Sequence, residues 1–204
     1  RKPSVSSSGE TSPPVQVRTN FNETAFFYPH LQTNEKGEIL ISFKIPESIT
    51  KWKMLGFAHT RDLEHKLITS ELVTRKDLMV LPNPPRFLRE GDQILFSTKI
   101  TNLTDEEMDS CRVNLELLDA ATLKPIHPLF HHSGDSKTVK IPKQGSGMAD
   151  WKLDIPENID AVTYRITAKS GNFSDGEEQT LPVLKNRMLV TESLPLPVRS
   201  GESK

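Results

Sequence analysis

The sequence predicts an all-β chain: two consecutive immunoglobulin- or fibronectin-like β-sandwich regions, the first short of strands. Three observations carry this. Residues with inward-facing character recur with a period of two, as in Ile94, Phe96, Thr98 and Ile100 and in Ala149, Trp151, Leu153 and Ile155. That spacing puts side chains on one face of a strand. Turn residues punctuate these runs at sandwich spacing. No long window carries the helical apolar period of about 3.6 residues.

In chain order, residues 1–14 are rich in Ser and Pro and nearly free of apolar side chains. Such a stretch cannot bury enough surface to offset its ordering entropy, so a flexible linker is expected. Residues 15–77 form the first region. Val15–Pro29 is apolar and aromatic, and Asn34-Glu35-Lys36-Gly37 reads as a turn. Ile39, Ile41, Phe43 and Ile45 alternate and predict a half-buried strand that Pro46 stops. Trp52–His59 and Leu67–Thr74 predict two more, separated by a polar stretch. With Leu78–Leu81 that makes four, where a closed sandwich takes about seven. Either the region is a partial domain or its partner strands lie upstream.

Residues 78–184 form the second region. Strands are predicted at Leu78–Leu81, around Ile94–Ile100, Cys111–Leu117, Thr138–Ile141, Ala149–Ile155, Val162–Ala168 and Gln179–Leu184, with Gly171–Gly176 as a turn. Residues 185–204 read as the first strand of a further domain or as a terminal arm. Pro82, Pro84 and Pro85 break the chain after Leu81 and mark the expected junction between the two sandwiches. Proline fixes φ and removes amide donors, so this junction is expected to be stiff.

Composition excludes several function classes. Among 204 residues, 26 basic and 27 acidic side chains nearly cancel. No basic field exists to attract nucleic acid. No apolar run approaches the roughly 20 residues of a membrane-spanning helix. The one cysteine, Cys111, cannot form an internal disulfide and is expected as a small buried hydrophobe. There is no Gly-x-Ser-x-Gly elbow, phosphate loop or Cys-x-x-Cys. His127, His131 and His132 could share a metal only from a loop, and zinc sites show tighter patterns. Asp105-Glu106-Glu107 supplies too few oxygens for a calcium cage. The chain is therefore read as no enzyme, with no catalytic residue, cofactor or metal. Three sequons occur, at Asn22, Asn102 and Asn172.

Several motifs carry a resemblance. They are Val17-Arg18-Thr19-Asn20-Phe21-Asn22-Glu23-Thr24-Ala25-Phe26-Phe27, Gly37 through Lys53 with its Pro46-Glu-Ser-Ile-Thr-Lys-Trp52, Pro85-Arg-Phe-Leu-Arg-Glu-Gly-Asp92, and Asn186-Arg-Met-Leu-Val190. In this order and spacing they resemble the alpha-2-macroglobulin family, particularly its bacterial members. Animal members usually carry Trp where this chain has Ala25-Phe26-Phe27-Tyr28.

The resemblance implies macroglobulin-like sandwiches from a broad-spectrum protease trap in the cell envelope or periplasm. In such proteins an attacking protease cuts an exposed bait segment, the domains rearrange and the protease is caged or tethered. Residues 1–14 then correspond to the bait or its downstream end, with Arg1, Lys2 and Arg18 as bait-adjacent cleavage sites. The family's Cys-Gly-Glu-Gln thioester motif is absent, and Cys111, followed by Arg112-Val113-Asn114, is not its cysteine. The chain is expected to be a piece of a longer one. Its partners would be proteases acting on the full-length protein, other domains of the parent chain and, through unpaired strand edges, a second copy. The competing reading is an adhesion or carbohydrate-binding module of the cell envelope. Against it, Phe43, Phe96, Trp151 and Tyr164 lie on the apolar sides of their strands, away from any glycan platform.

Overall fold

A computed structural model describes residues 15–131, 136–187, 190–195 and 200–201. Among the described residues the regular structure is β, apart from one turn of 3-10 helix at His127–Phe130. The strands are β1 (Val17–Arg18), β2 (Lys51–His59), β3 (His65–Val73), β4 (Leu78–Pro82), β5 (Leu88–Arg89), β6 (Gln93–Asn102), β7 (Met108–Asp119), β8 (Ser136–Ile141), β9 (Ser146–Asp154), β10 (Ala161–Ser170) and β11 (Phe173–Leu184).

Two sheets form the sandwich. The larger runs β1-β11-β10-β7-β8, with β5 also pairing along β11, and the smaller runs β4-β6-β9. Their inward faces are the alternating residues of the sequence reading. Phe96, Ile100, Trp151, Leu153, Val162, Tyr164 and Ile166 are all buried. The Phe96 and Tyr164 rings meet across the sheets at 5.1 Å. Cys111 is fully buried in this core, and burial pushes its thiol pKa up to about 11. It is inert for the reason expected of a buried thiol.

Four expectations change. First, Gly176 was placed in a turn but lies inside β11 opposite Val17. The turn is only Gly171-Asn172, with Gly171 at φ 56°, and β10 and β11 pair from Ser170–Phe173 onward. A two-residue loop opening on a positive-φ glycine suits the twist of a hairpin.

Second, Ile39–Ile45 forms no ladder. Leu40 is 98 % exposed, and Ile39 and Phe43 are exposed as well. Phe43 rests on Phe26, ring centroids 4.3 Å apart, so it is no core residue of a sheet. Alternation is present, but no neighbouring strand among the described residues takes up its backbone groups.

Third, Pro82, Pro84 and Pro85 do not separate two domains. Pro82 ends β4, which pairs with β6 inside the sandwich. The other two lie on the crossover to β5, which pairs with β11 of the larger sheet. The prolines stiffen a connection within one sandwich, and the hairpin region meets the sandwich earlier, between Val73 and Leu78.

Fourth, the expected boundary at residue 77 does not sort the chain cleanly. Val17–Arg18, expected in the first region, is an edge strand of the second. Of the tail, the described residues form no strand; Asn186 instead donates its amide to Glu90 at 3.4 Å. Met188 and Leu189 lie outside the described residues.

What remains of the first region is the β2–β3 hairpin, paired only with each other. Opposed residues share a face. One face carries Trp52 and Met54 with Leu72 and Ile68; the other carries Leu55 and Phe57 with Thr69 and Leu67. Leu55, Phe57 and Leu67 are exposed by 64–73 %. An isolated hairpin is marginal in water, and between Val15 and Asp77 the one buried apolar residue is Pro46.

Candidate functional site

The most constrained chemistry gathers where β1 meets β11. The two-residue ladder of β1 is too short to hold an edge by itself; a buried ion cluster holds it. Arg18, 4 % exposed, donates Nε to Asp175 Oδ1 at 3.0 Å and Nη2 to Asp175 Oδ2 at 3.1 Å. Nη2 also reaches Glu177 Oε2 at 3.2 Å and the Val80 carbonyl at 2.8 Å. Asp175, fully buried, also accepts Lys76 Nζ at 2.9 Å and the Val80 amide at 2.9 Å. Four donors fill the acceptor capacity of one carboxylate.

β11 supplies both carboxylates because residues i and i+2 share a face. Gly176 between them faces the other way, where β1 comes close: a Cβ there would lie 3.2 Å from Val17 Cγ2 and 3.2 Å from the Ile166 carbonyl. Glu177 also accepts Tyr164 Oη at 3.3 Å and Gln179 Nε2 at 3.0 Å. Burial is the largest influence on Glu177 and holds its pKa above the ordinary carboxylate range, with Arg18 pulling the other way. Burial also raises Tyr164, which keeps its phenol a donor. Two cations face two anions, so charge balances within the cluster. The cluster joins the two sheets, since β4 belongs to one and β11 to the other.

A chain of ties leads outward from it. Glu47 accepts the Thr19 and Asn20 amides at 2.9 and 3.0 Å. These bonds, that of Thr19 foremost, lower its pKa. Thr74 donates Oγ1 to the Ser48 carbonyl at 2.7 Å and accepts Trp52 Nε1 at 3.2 Å. Lys76 closes the circuit on Asp175.

The expected cleavage site Arg18 is therefore corrected. A protease needs an extended, accessible arginine, and this one is enclosed by two carboxylates. Arg1 and Lys2 lie outside the described residues. Among the described residues no three His, Cys, Asp or Glu side chains gather as for a metal. His127 opens the 3-10 turn and His131 follows it at φ 44°, while His132 lies outside the described residues. Asn102 is fully buried, donating to the Glu106 and Pro142 carbonyls at 2.7 and 3.1 Å. It plugs a loop and is no glycan acceptor.

Sequence reading missed Asp175 and Glu177 because Gly171–Gly176 looked like a solvated turn. The available signal was an acidic pair two apart beside a strand-like run, which reports a shared face and not a partner 157 residues away.

Comparison with known proteins then places the chain. The model of the Alpha-2-macroglobulin family matches residues 24–115. An alpha-2-macroglobulin of Thermotoga maritima is 29% identical over 168 residues, covering 78% of this chain and 11% of that protein. Over these residues the chain is similar to the alpha-2-macroglobulin family. A homolog from Nostoc is 23% identical over 190 residues, 93% of this chain and 9% of the relative. The chain thus spans about a tenth of the length of these alpha-2-macroglobulins.

Solved alpha-2-macroglobulins share the fold. A Salmonella mutant superposes with a TM-score of 0.55 at 19% identity, over 76% of this chain and 10% of that one. An Escherichia coli protein activated by porcine elastase gives 0.58 at 17% identity, over 83% and 15%. Macroglobulin-like sandwich architecture is thereby shown, and these four alpha-2-macroglobulins are bacterial. Arg18 and Asp175 both fall outside the residues matched by the family model.

Proposed function

We propose that the chain is the part of a bacterial protease inhibitor that follows its bait segment, and that its work is mechanical, not catalytic. Residues 1–14 would be the downstream end of the bait, and β1 the point where that strap is made fast. The observation that carries this is the anchor itself. A segment poor in apolar residues precedes a strand of two residues held by a buried cluster. A tether needs such a fixed end: cutting a strap changes an equilibrium only if the intact strap constrained it. Partners would then be the attacking proteases, acting on the full-length protein outside the cytoplasm, and the other domains of the parent chain. Digestion of the full-length protein by several unrelated proteases tests this. Early cuts should fall upstream of Val15 and spare Arg18. Early cuts confined to other regions would overturn the placement.

The hairpin fits the same reading. Both its faces are apolar in part and both its edges are open, as expected if strands elsewhere in the parent complete the domain. In the isolated chain those edges recruit what is available, which is another copy. Light scattering should show a mass that rises with concentration; a monomer mass at every concentration would count against it. Burial of Phe96, Trp151 and Tyr164 speaks against the carbohydrate-binding alternative, while Phe43, exposed and resting on Phe26, does not.

A further inference from the structure

We infer that Asp175 is the pivot on which the whole of residues 19–75 turns against the sandwich. The chain leaves the sandwich at Arg18 and returns at Lys76. Both side chains bind the same atom, Asp175 Oδ1, at 3.0 and 2.9 Å. Everything between is an excursion whose two ends meet on one carboxylate oxygen.

Two further observations make this a joint and not only a stabilising ion pair. The first concerns what else holds the excursion. Among the described residues, none of the core cluster comes from it, Pro46 being its one buried side chain, and β2 and β3 pair only with each other. Apolar packing resists rotation because many contacts are spread over an area; a hub on one carboxylate has almost no lever arm. The second concerns the inside of the excursion. Glu47 staples residues 19 and 20 to residue 47, and Thr74 staples residues 48, 50 and 52 to residue 74. The base of the excursion is a closed frame. It moves as one piece, and among the described residues the Asp175 hub, with Arg18 packed on Phe21 beside it, sets its angle. The geometry stands by itself. Its functional sense, that the hairpin region turns about Asp175 when the strap is cut, rests on the trap reading.

The test uses the full 204-residue chain below its association threshold, with Arg61→Cys in the hairpin loop and Leu95→Cys on the outer face of β6 carrying spin labels. Buried Cys111, with its raised pKa, stays unlabelled. Pulsed dipolar spectroscopy should give one narrow distance peak on the parent background. Asp175→Asn should replace it with a broad distribution. Lys76→Gln, at a half-exposed position that the sandwich core does not need, should broaden it partly. Far-ultraviolet circular dichroism and a cooperative thermal melt should show the sandwich still folded. If Asp175→Asn fails to fold, Lys76→Gln decides alone. An unchanged narrow peak in the folded variants overturns the pivot, and so does a broad distribution in the parent. Neither outcome depends on where proteases cut, so failure of the trap reading is separately visible.

Discussion

Arg18→Ala should cost the sandwich about 3–5 kcal/mol, the toll of stranding a buried charge after its partner is removed. Asp175 would lose two of its four donors, and Glu177 the only cation paired with it among the described residues. Chemical denaturation followed by circular dichroism reads the loss. Its pH dependence has a definite sign. Arg18 lowers the Glu177 pKa against the larger effect of burial, so without Arg18 that pKa rises further. The folded variant then binds the Glu177 proton more tightly than the unfolded chain does. That contribution to stability is full below the ordinary carboxylate pKa and is lost as pH rises through the folded one. The penalty should therefore be largest at neutral pH and shrink on acidification toward about pH 4. Arg18→Lys should recover only part of it, because a single ammonium cannot reproduce the paired contacts of a guanidinium. A loss that does not vary with pH would show that packing against Phe21, 5.6 Å away, matters more than charge.

Trp151→Ala should be equally severe, about 3–5 kcal/mol for a fully buried large side chain. Trp151 is 0 % exposed and pairs in register with Phe96, which itself meets Tyr164. Its removal opens a void at the point where the two sheets touch. Trp151→Phe is the informative companion. The indole Nε1 has no hydrogen-bond partner among the described residues, so phenylalanine removes an orphaned donor along with part of the ring. An orphan donor costs about 1–3 kcal/mol, which offsets much of the lost area. Thermal melts should place Trp151→Phe much closer to the parent than to Trp151→Ala. Equal destabilisation of the two would mean that the donor is satisfied in solution.

These two predictions rest on parts of the molecule that were legible in the sequence to different degrees. Trp151 was readable. Its run alternates, its neighbours alternate, and both faces of the resulting strand could be assigned before any fold was known. Ile39–Ile45 alternates just as well and forms no strand. Alternation reports where side chains would point once a ladder exists; it is silent on whether a neighbour exists to build one. The prolines misled in a related way. Pro82, Pro84 and Pro85 do interrupt a strand, but an interruption within a sandwich and one between sandwiches look alike along the chain. Arg18 was the least readable. Near a polar, serine-rich stretch it resembles a cleavage site, and only the long-range register of β1 on β11 encloses it between carboxylates.

β1 runs parallel to β11, and this sets how the attachment answers a load. Tension arriving through residue 15 acts along the strand axis, toward the β10–β11 turn. It cannot peel the ladder one rung at a time; it must shear both rungs together and draw the guanidinium past Asp175 in the same stroke. The same force applied sideways would meet the rungs in sequence and fail sooner. How firmly this end of the chain is held is therefore a matter of direction as much as of energy.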